Sequence, residues 1–89
     1  MPTVLFTRAL ERFLEAPAAE VDAGTVGEAL AAVFAKRPAM RGYVLDDQGA
    51  LRRHVAVYVN GRLVSDRTRL SDPVAAHDEI YVFQALSGG

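Results

Sequence analysis

Cysteine is absent from the 89 residues of this chain. No disulfide framework, thiolate metal site, iron–sulfur cluster or cysteine nucleophile can be built from it, and any sulfur chemistry must use some other group. An excess of one charge is lacking too. Ten Lys and Arg stand against eleven Asp and Glu, a formal net charge of −1. The basic residues are scattered rather than gathered in a stripe, so the electrostatic footprint of a nucleic-acid binder is missing. Nowhere do 18 apolar residues run together, and "MPTVLFTRAL" has no basic region followed by an apolar stretch of signal length. The expectation is a cytoplasmic, soluble protein with neither nucleic acid nor membrane as a partner.

What is present makes one small domain. At this length a chain buries only about 60 to 65% of its unfolded surface, enough for one sheet with one helix and no staples. "TVLFT" (Thr3 to Thr7) mixes β-branched, aromatic and aliphatic side chains and reads as a first strand, with Val4 and Phe6 on one face and Leu5 and Thr7 on the other. The segment after it holds Leu10, Phe13 and Leu14 at helical spacing but is stopped by Pro17; it is taken as a loop or short turn leading to a second strand near Ala19 to Asp22.

"TVGEALAAVFAKRP" carries the clearest helix signal. Thr25 and Glu28 form a capping box, and Val26, Ala29, Leu30, Val33 and Phe34 make one apolar stripe. Lys36 and Arg37 complement the negative end of the helix before Pro38 closes it, which predicts one helix over Val26 to Lys36. Asp46, Asp47, Gln48 and Gly49 then read as a solvated turn. Two neighbouring carboxylates without further oxygen ligands at a patterned spacing do not specify a cation, so no metal is assigned.

"HVAVYVNGRLV" predicts a hairpin around Asn60-Gly61, pairing Val59 with Arg62, Tyr58 with Leu63 and Val57 with Val64. A long polar connection, "SDRTRLSDPVAAHD", leads to a last strand, "EIYVFQ". Strand, strand, helix, strand, short strand, strand is the β-grasp order, an α+β mixed sheet with one helix packed on one face. Val4, Phe6, Val55, Val57, Val64, Ile80 and Val82 should face that helix. Leu5, Thr7, Ala56, Tyr58, Leu63, Tyr81 and Phe83 then lie on the other face, with no second layer in the sequence to cover them. A loop or a second copy could cover that face; docking of a partner is preferred, because aromatics gather at the centres of interfaces. His54 and His77 have no patterned partner and are read as a strand-start and a loop residue.

The chain divides, on this reading, into a domain over 1–84 and an extended tail over 85–89. Gln84 to Gly89 would reach about 20 Å when extended, far enough to enter another protein. Gly88 and Gly89 remove every Cβ from the end of that tail, so a narrow channel could admit it and bring the Gly89 carboxylate beside a partner's backbone. Leu86, between Ala85 and Ser87, would fill an apolar pocket at the mouth of the channel.

A "VNG" hairpin, a "DEIYVF" strand and an apolar-small-Gly-Gly end, in this order and length, resemble the ubiquitin-like sulfur carriers of the MoaD/ThiS family. That family includes the small subunit of molybdopterin synthase and the thiamine sulfur carrier. The resemblance covers nearly the whole chain. It implies that a separate ubiquitin-activating-type adenylyltransferase uses ATP to make the acyl-adenylate of Gly89, that a sulfur donor displaces AMP, and that the thiocarboxylate serves an acceptor enzyme. That acceptor would be of the molybdopterin synthase large subunit, cysteine synthase or thiazole synthase type. The carrier itself is then not an enzyme and binds no cofactor, in keeping with the lack of a phosphate-cradling glycine loop. Gln84 and Ala85 stand where the molybdopterin-synthase subunit commonly has prolines, and the longer middle, "MRGYVLDDQGALRRHV", is closer to the carriers that serve cysteine biosynthesis. The alternatives are a ubiquitin-like modifier joined through Gly89 to lysines of other proteins, and a binding module whose glycines are incidental.

Overall fold

The computed structural model describes residues 1–6 and 18–84. Its elements run β1 (Thr3–Phe6), β2 (Ala18–Glu20), α1 (Val26–Lys36), α2 (Pro38–Val44), β3 (Val55–Val59), β4 (Arg62–Leu63) and β5 (Glu79–Gln84). The strands form one sheet in the order β2-β1-β5-β3-β4. β1 and β5 are parallel and the other pairs antiparallel. This is the expected β-grasp arrangement. Thr7, Leu10, Phe13, Leu14 and Pro17 lie outside the described residues.

Period-2 alternation sorts the sheet. Val4, Phe6, Val55, Val57, Val64, Ile80 and Val82 are all buried and meet the α1 stripe of Val26, Ala29, Leu30, Val33 and Phe34, as the two patterns require. Burying each large side chain contributes about 1.5 to 3 kcal/mol, so this layer is the principal source of stability. At the start of α1, Thr25 Oγ1 accepts the Glu28 N–H at 3.1 Å. Glu28 Oε1 reaches back to the N–H of Gly24 at 2.8 Å, one residue beyond the cap itself. No helix among the described residues is long and apolar enough to cross a membrane.

The expectation of a single helix is corrected by α2. Pro38 does end α1, but it also opens a second helix, because its fixed φ and missing N–H suit a first helical position as well as they bar an interior one. Met40 and Val44, four apart, then sit on one side of α2 and are fully buried in the same core. That spacing was present in the sequence, but seven residues are too few for periodicity to stand out against the turn formers that follow. Asp46 closes those turn residues by accepting the N–H groups of Gln48 at 2.8 Å and Ala50 at 3.1 Å.

The long connection before β5 is a built object. Asp66 accepts the N–H groups of Thr68, Arg69 and Ser71 and the Ser71 hydroxyl, and Asp72 accepts those of Ser65 and Asp66. The loop so folded turns its carbonyls onto the first turn of α1: Asp72 O accepts the Val26 N–H at 2.9 Å and Leu70 O that of Gly27 at 2.8 Å. Two donors that a helix start leaves unsatisfied are thereby paired. Leu70 adopts φ 57° to do this, with its side chain buried. Gly27 is what lets the loop come so close, since a Cβ there would stand 3.2 Å from Leu70 O.

The N–H of Arg69 and then the Ser71 hydroxyl hold the Asp66 carboxyl at about 2, below its ordinary 3.8. A carboxylate with a depressed folded value contributes stability that is fully present above the unfolded value and is lost as pH falls through the folded one. Asp66→Asn should therefore lower the Tm at neutral pH. The gap from the parent should narrow as pH is taken from above 3.8 down to about 2. A gap independent of pH in a thermal titration would show that the ionised form of Asp66 is not what secures the loop.

Candidate functional site

The side of the sheet turned away from α1 is aromatic, and register explains why. Leu5 stands opposite Tyr81, Tyr81 opposite Tyr58, and Tyr58 opposite Leu63, so one row of large side chains crosses β1, β5, β3 and β4. Phe83 lies two residues along β5, opposite Ala56, whose small side chain leaves its ring room. Phe83 meets Tyr58 edge to face at 5.4 Å between ring centroids and Tyr81 tilted at 6.0 Å. Leu63 is 55% exposed, Phe83 41% and Tyr81 36%, while Leu5 and Tyr58 are half-buried. Of the seven residues expected on this face, the structure brings together six, Leu5, Ala56, Tyr58, Leu63, Tyr81 and Phe83, and Thr7 lies outside the described residues. Leu86, Gly88 and Gly89 lie outside the described residues.

The hairpin forms as expected, with Tyr58 opposite Leu63, Val59 opposite Arg62, and the Val64 N–H donating to Val57 O at 2.8 Å. Asn60 and Gly61 take the positive φ values, 51° and 84°, that a two-residue turn demands. Asn60 does more than turn the chain. Its N–H donates to Glu79 O at 2.9 Å, its Oδ1 accepts the Glu79 N–H at 2.9 Å, and its Nδ2 donates to Asp78 Oδ1 at 2.7 Å. The hairpin tip is thereby fastened to the first residue of β5, which fixes how Tyr58 and Tyr81 face each other. The N–H of Ala75 and then the Asn60 amide hold the Asp78 carboxyl below its ordinary range. Sequence reasoning missed this clamp; the Asn-Gly pair signals the turn, but nothing local marks a partner 18 residues away.

Two acids beside the aromatic face are already engaged. A shallow groove of about 320 Å³ adjoins Leu63 between Val59, Arg62, Ser65, Pro73 and the two aspartates Asp72 and Asp78. Both carboxylates accept backbone N–H groups from their own loops. No cluster of three or more His, Cys, Asp or Glu placed to hold an ion exists among the described residues. His54 and His77 are exposed. This side of the sheet presents an apolar, aromatic surface along β5, whose last residue is Gln84.

Comparison with known proteins gives this surface a context. The ThiS family model matches residues 5–89. The chain belongs to the ThiS family. This ThiS-family chain is 38% identical to small archaeal modifier protein 1 of Haloferax volcanii over 65 residues, 73% of this chain and 70% of that protein. A crystal structure of the same Haloferax protein superimposes with a TM-score of 0.85 at 31% identity, covering 99% of this chain and 98% of that one. The fold is also that of the crystallised BexX/CysO complex of Amycolatopsis orientalis, with a TM-score of 0.86, 23% identity and full coverage of both chains. The chain therefore stands among small ubiquitin-like carriers and modifiers.

The two faces of β5 should respond differently to truncation. Ile80→Ala should cost about 2 to 5 kcal/mol, the usual range for a fully buried aliphatic side chain. Phe83→Ala removes an exposed ring and its edge contacts and should cost about 1 kcal/mol. Chemical denaturation of both variants tests this; equal losses would mean that Phe83 is a core residue.

Proposed function

We propose that this protein is a sulfur carrier whose chemistry resides in the carboxylate of Gly89. The observation that carries the reading is the aromatic face of half-buried Tyr58 and exposed Tyr81 and Phe83, which lies along β5, directly before Ala85 to Gly89 in the chain. An enzyme seated on that face would find the Gly88-Gly89 end within a few residues. Leu5 and Leu63 extend the contact at its sides, and Leu86 seats the tail at the mouth of the channel.

The steps follow from carboxylate chemistry. A free carboxylate is a poor electrophile, and the sequence offers no phosphate-cradling loop, so a partner adenylyltransferase supplies ATP and the site. A Gly89 carboxylate oxygen attacks the α-phosphorus, pyrophosphate leaves, and the acyl-adenylate forms. Sulfide from a donor attacks the acyl carbon, the bond to AMP breaks, and Gly89 becomes a thiocarboxylate. An acceptor enzyme of the molybdopterin synthase, cysteine synthase or thiazole synthase type takes the sulfur, and water attacks the acyl carbon as the C–S bond breaks, which returns the carboxylate. The domain acts throughout as a protein substrate. A second reading, favoured by the 38% identity to a modifier protein, lets the same adenylate pass Gly89 to lysine amines of other proteins.

Incubation with the cognate adenylyltransferase, ATP and sulfide should raise the intact mass by the difference between one sulfur and one oxygen, localised to Gly89. Removing Gly88 and Gly89 should abolish the change and leave the thermal melt in place, because the last few residues of a chain contribute little to stability. An unchanged mass in the full chain, with an enzyme active on another carrier, would overturn the sulfur-carrier reading. Target-sized conjugates without thiocarboxylate would favour the modifier.

Docking and placement can be separated. Phe83→Asp should weaken binding to the activating enzyme by at least about 2 kcal/mol, since it buries an unpaired charge at the centre of the contact. Leu86→Ala should lose about 1.5 to 3 kcal/mol of burial and slow adenylation or sulfur delivery with the fold unchanged. Wild-type rates in both steps at limiting carrier would leave Leu86 as a spacer.

A further inference from the structure

An activated glycyl terminus reacts with whatever nucleophile reaches it, so the nucleophiles on the carrier's own surface decide what it can become. Cysteine is absent, and of the ten basic residues nine are arginine, leaving one lysine, Lys36. Guanidinium groups remain protonated and do not attack acyl carbons. Hydroxyls of Ser, Thr and Tyr are weak nucleophiles unless a base activates them.

Lys36 is well presented. It is the last residue of α1, exposed, and its neighbours Ala35, Arg37, Pro38 and Ala39 are exposed as well. No hydrogen bond or ion pair engages its ammonium group among the described residues. α1 lies on the Val57 and Val82 side of the sheet, opposite the face of Tyr58, Tyr81 and Phe83. A copy engaged by an enzyme through its aromatic face therefore still presents Lys36, and a free copy does too.

We propose that Lys36 is a modification site, acylated by the activated Gly89 of a second copy of this chain. The reaction rests on the adenylation described under Proposed function. The unprotonated ε-amine of Lys36 attacks the acyl carbon of Gly89-adenylate, a C–N bond forms, the C–O bond to AMP breaks, and the amine's surplus proton passes to solvent. Sulfide and Lys36 compete for one intermediate, so linked copies form when the sulfur donor is scarce. Because one lysine is present, the linkage between side chain and terminus is of a single type.

The test is incubation of the full chain with its adenylyltransferase and ATP without sulfide, followed by pyrophosphate assay, intact mass and peptide mapping. Expected are pyrophosphate release and a species of twice the chain's mass less one water, stable to hydroxylamine, with an amide joining Gly89 to Lys36. Lys36→Arg, which keeps the charge and removes the nucleophile, should lose that species while releasing pyrophosphate at the parental rate in the first turnover. Added sulfide should suppress the linked species in the parent. Pyrophosphate release with no linked species, a hydroxylamine-labile ester, or an amide mapped to the α-amine of Met1 would each overturn the proposal and leave the adenylation reading standing. Neither pyrophosphate nor linked species would overturn both.

Discussion

The register of β5 is the constraint on which the rest of the structure depends. Glu79 to Val82 pair in parallel with β1 and Ile80 to Gln84 antiparallel with β3, and the strand's residues alternate between two faces with opposite requirements. Ile80 and Val82 are fully buried under α1, while Tyr81 and Phe83 stand on the open side. A slip of one residue would put two aromatic rings into a core sized for aliphatic side chains and hand Ile80 and Val82 to solvent. Core and candidate site are thus set by a single choice of pairing.

That choice is held from both ends. At the hairpin end, Asn60 spends its backbone N–H and both side-chain polar atoms on Asp78 and Glu79, so the tip of β3 cannot move independently of the start of β5. At the helix end, the loop organised by Asp66 and Asp72 caps the first turn of α1 with Leu70 O and Asp72 O, and Val74 donates back to Gly24 O at 3.0 Å. The left-handed conformation of Leu70 costs on the order of 1 to 3 kcal/mol. Two paired helix donors and a buried leucine side chain offset it.

Much of this was legible in the residues. Period-2 alternation in "VAVYV" and "EIYVFQ" sorts buried from exposed side chains, because antiparallel neighbours in one register leave little freedom. Thr25 and Glu28 mark the start of α1 through local hydrogen bonds that depend on spacing alone. The failures have one physical character. α2 is short and stabilised by where Met40 and Val44 land in the core, and the Asn60 clamp and the loop on α1 join residues far apart in sequence. Local patterns do not carry such pairings. Leu5, Ala56, Tyr58, Leu63, Tyr81 and Phe83 were legible on the open face because that face is the complement of the buried set, whereas the roles proposed for Leu86, Gly88 and Gly89 rest on chemistry rather than on packing.

A central strand is a better root for a reactive terminus than an edge strand would be. β5 is flanked on both sides as far as Val82, which lies between Phe6 and Val57, and Phe83 and Gln84 are still paired on the β3 side with Ala56 and Val55. An edge strand would leave one row of N–H and C=O groups to water, and its last residues would open at little cost. Held in the ladder, Gln84 has a fixed position relative to the rings of Tyr58, Tyr81 and Phe83. An enzyme that reads those rings also reads where the chain leaves the sheet. Since a misplacement of about 1 Å at a reacting centre can cost on the order of a hundredfold in rate, the rigidity of the sheet becomes part of the chemistry proposed for Gly89.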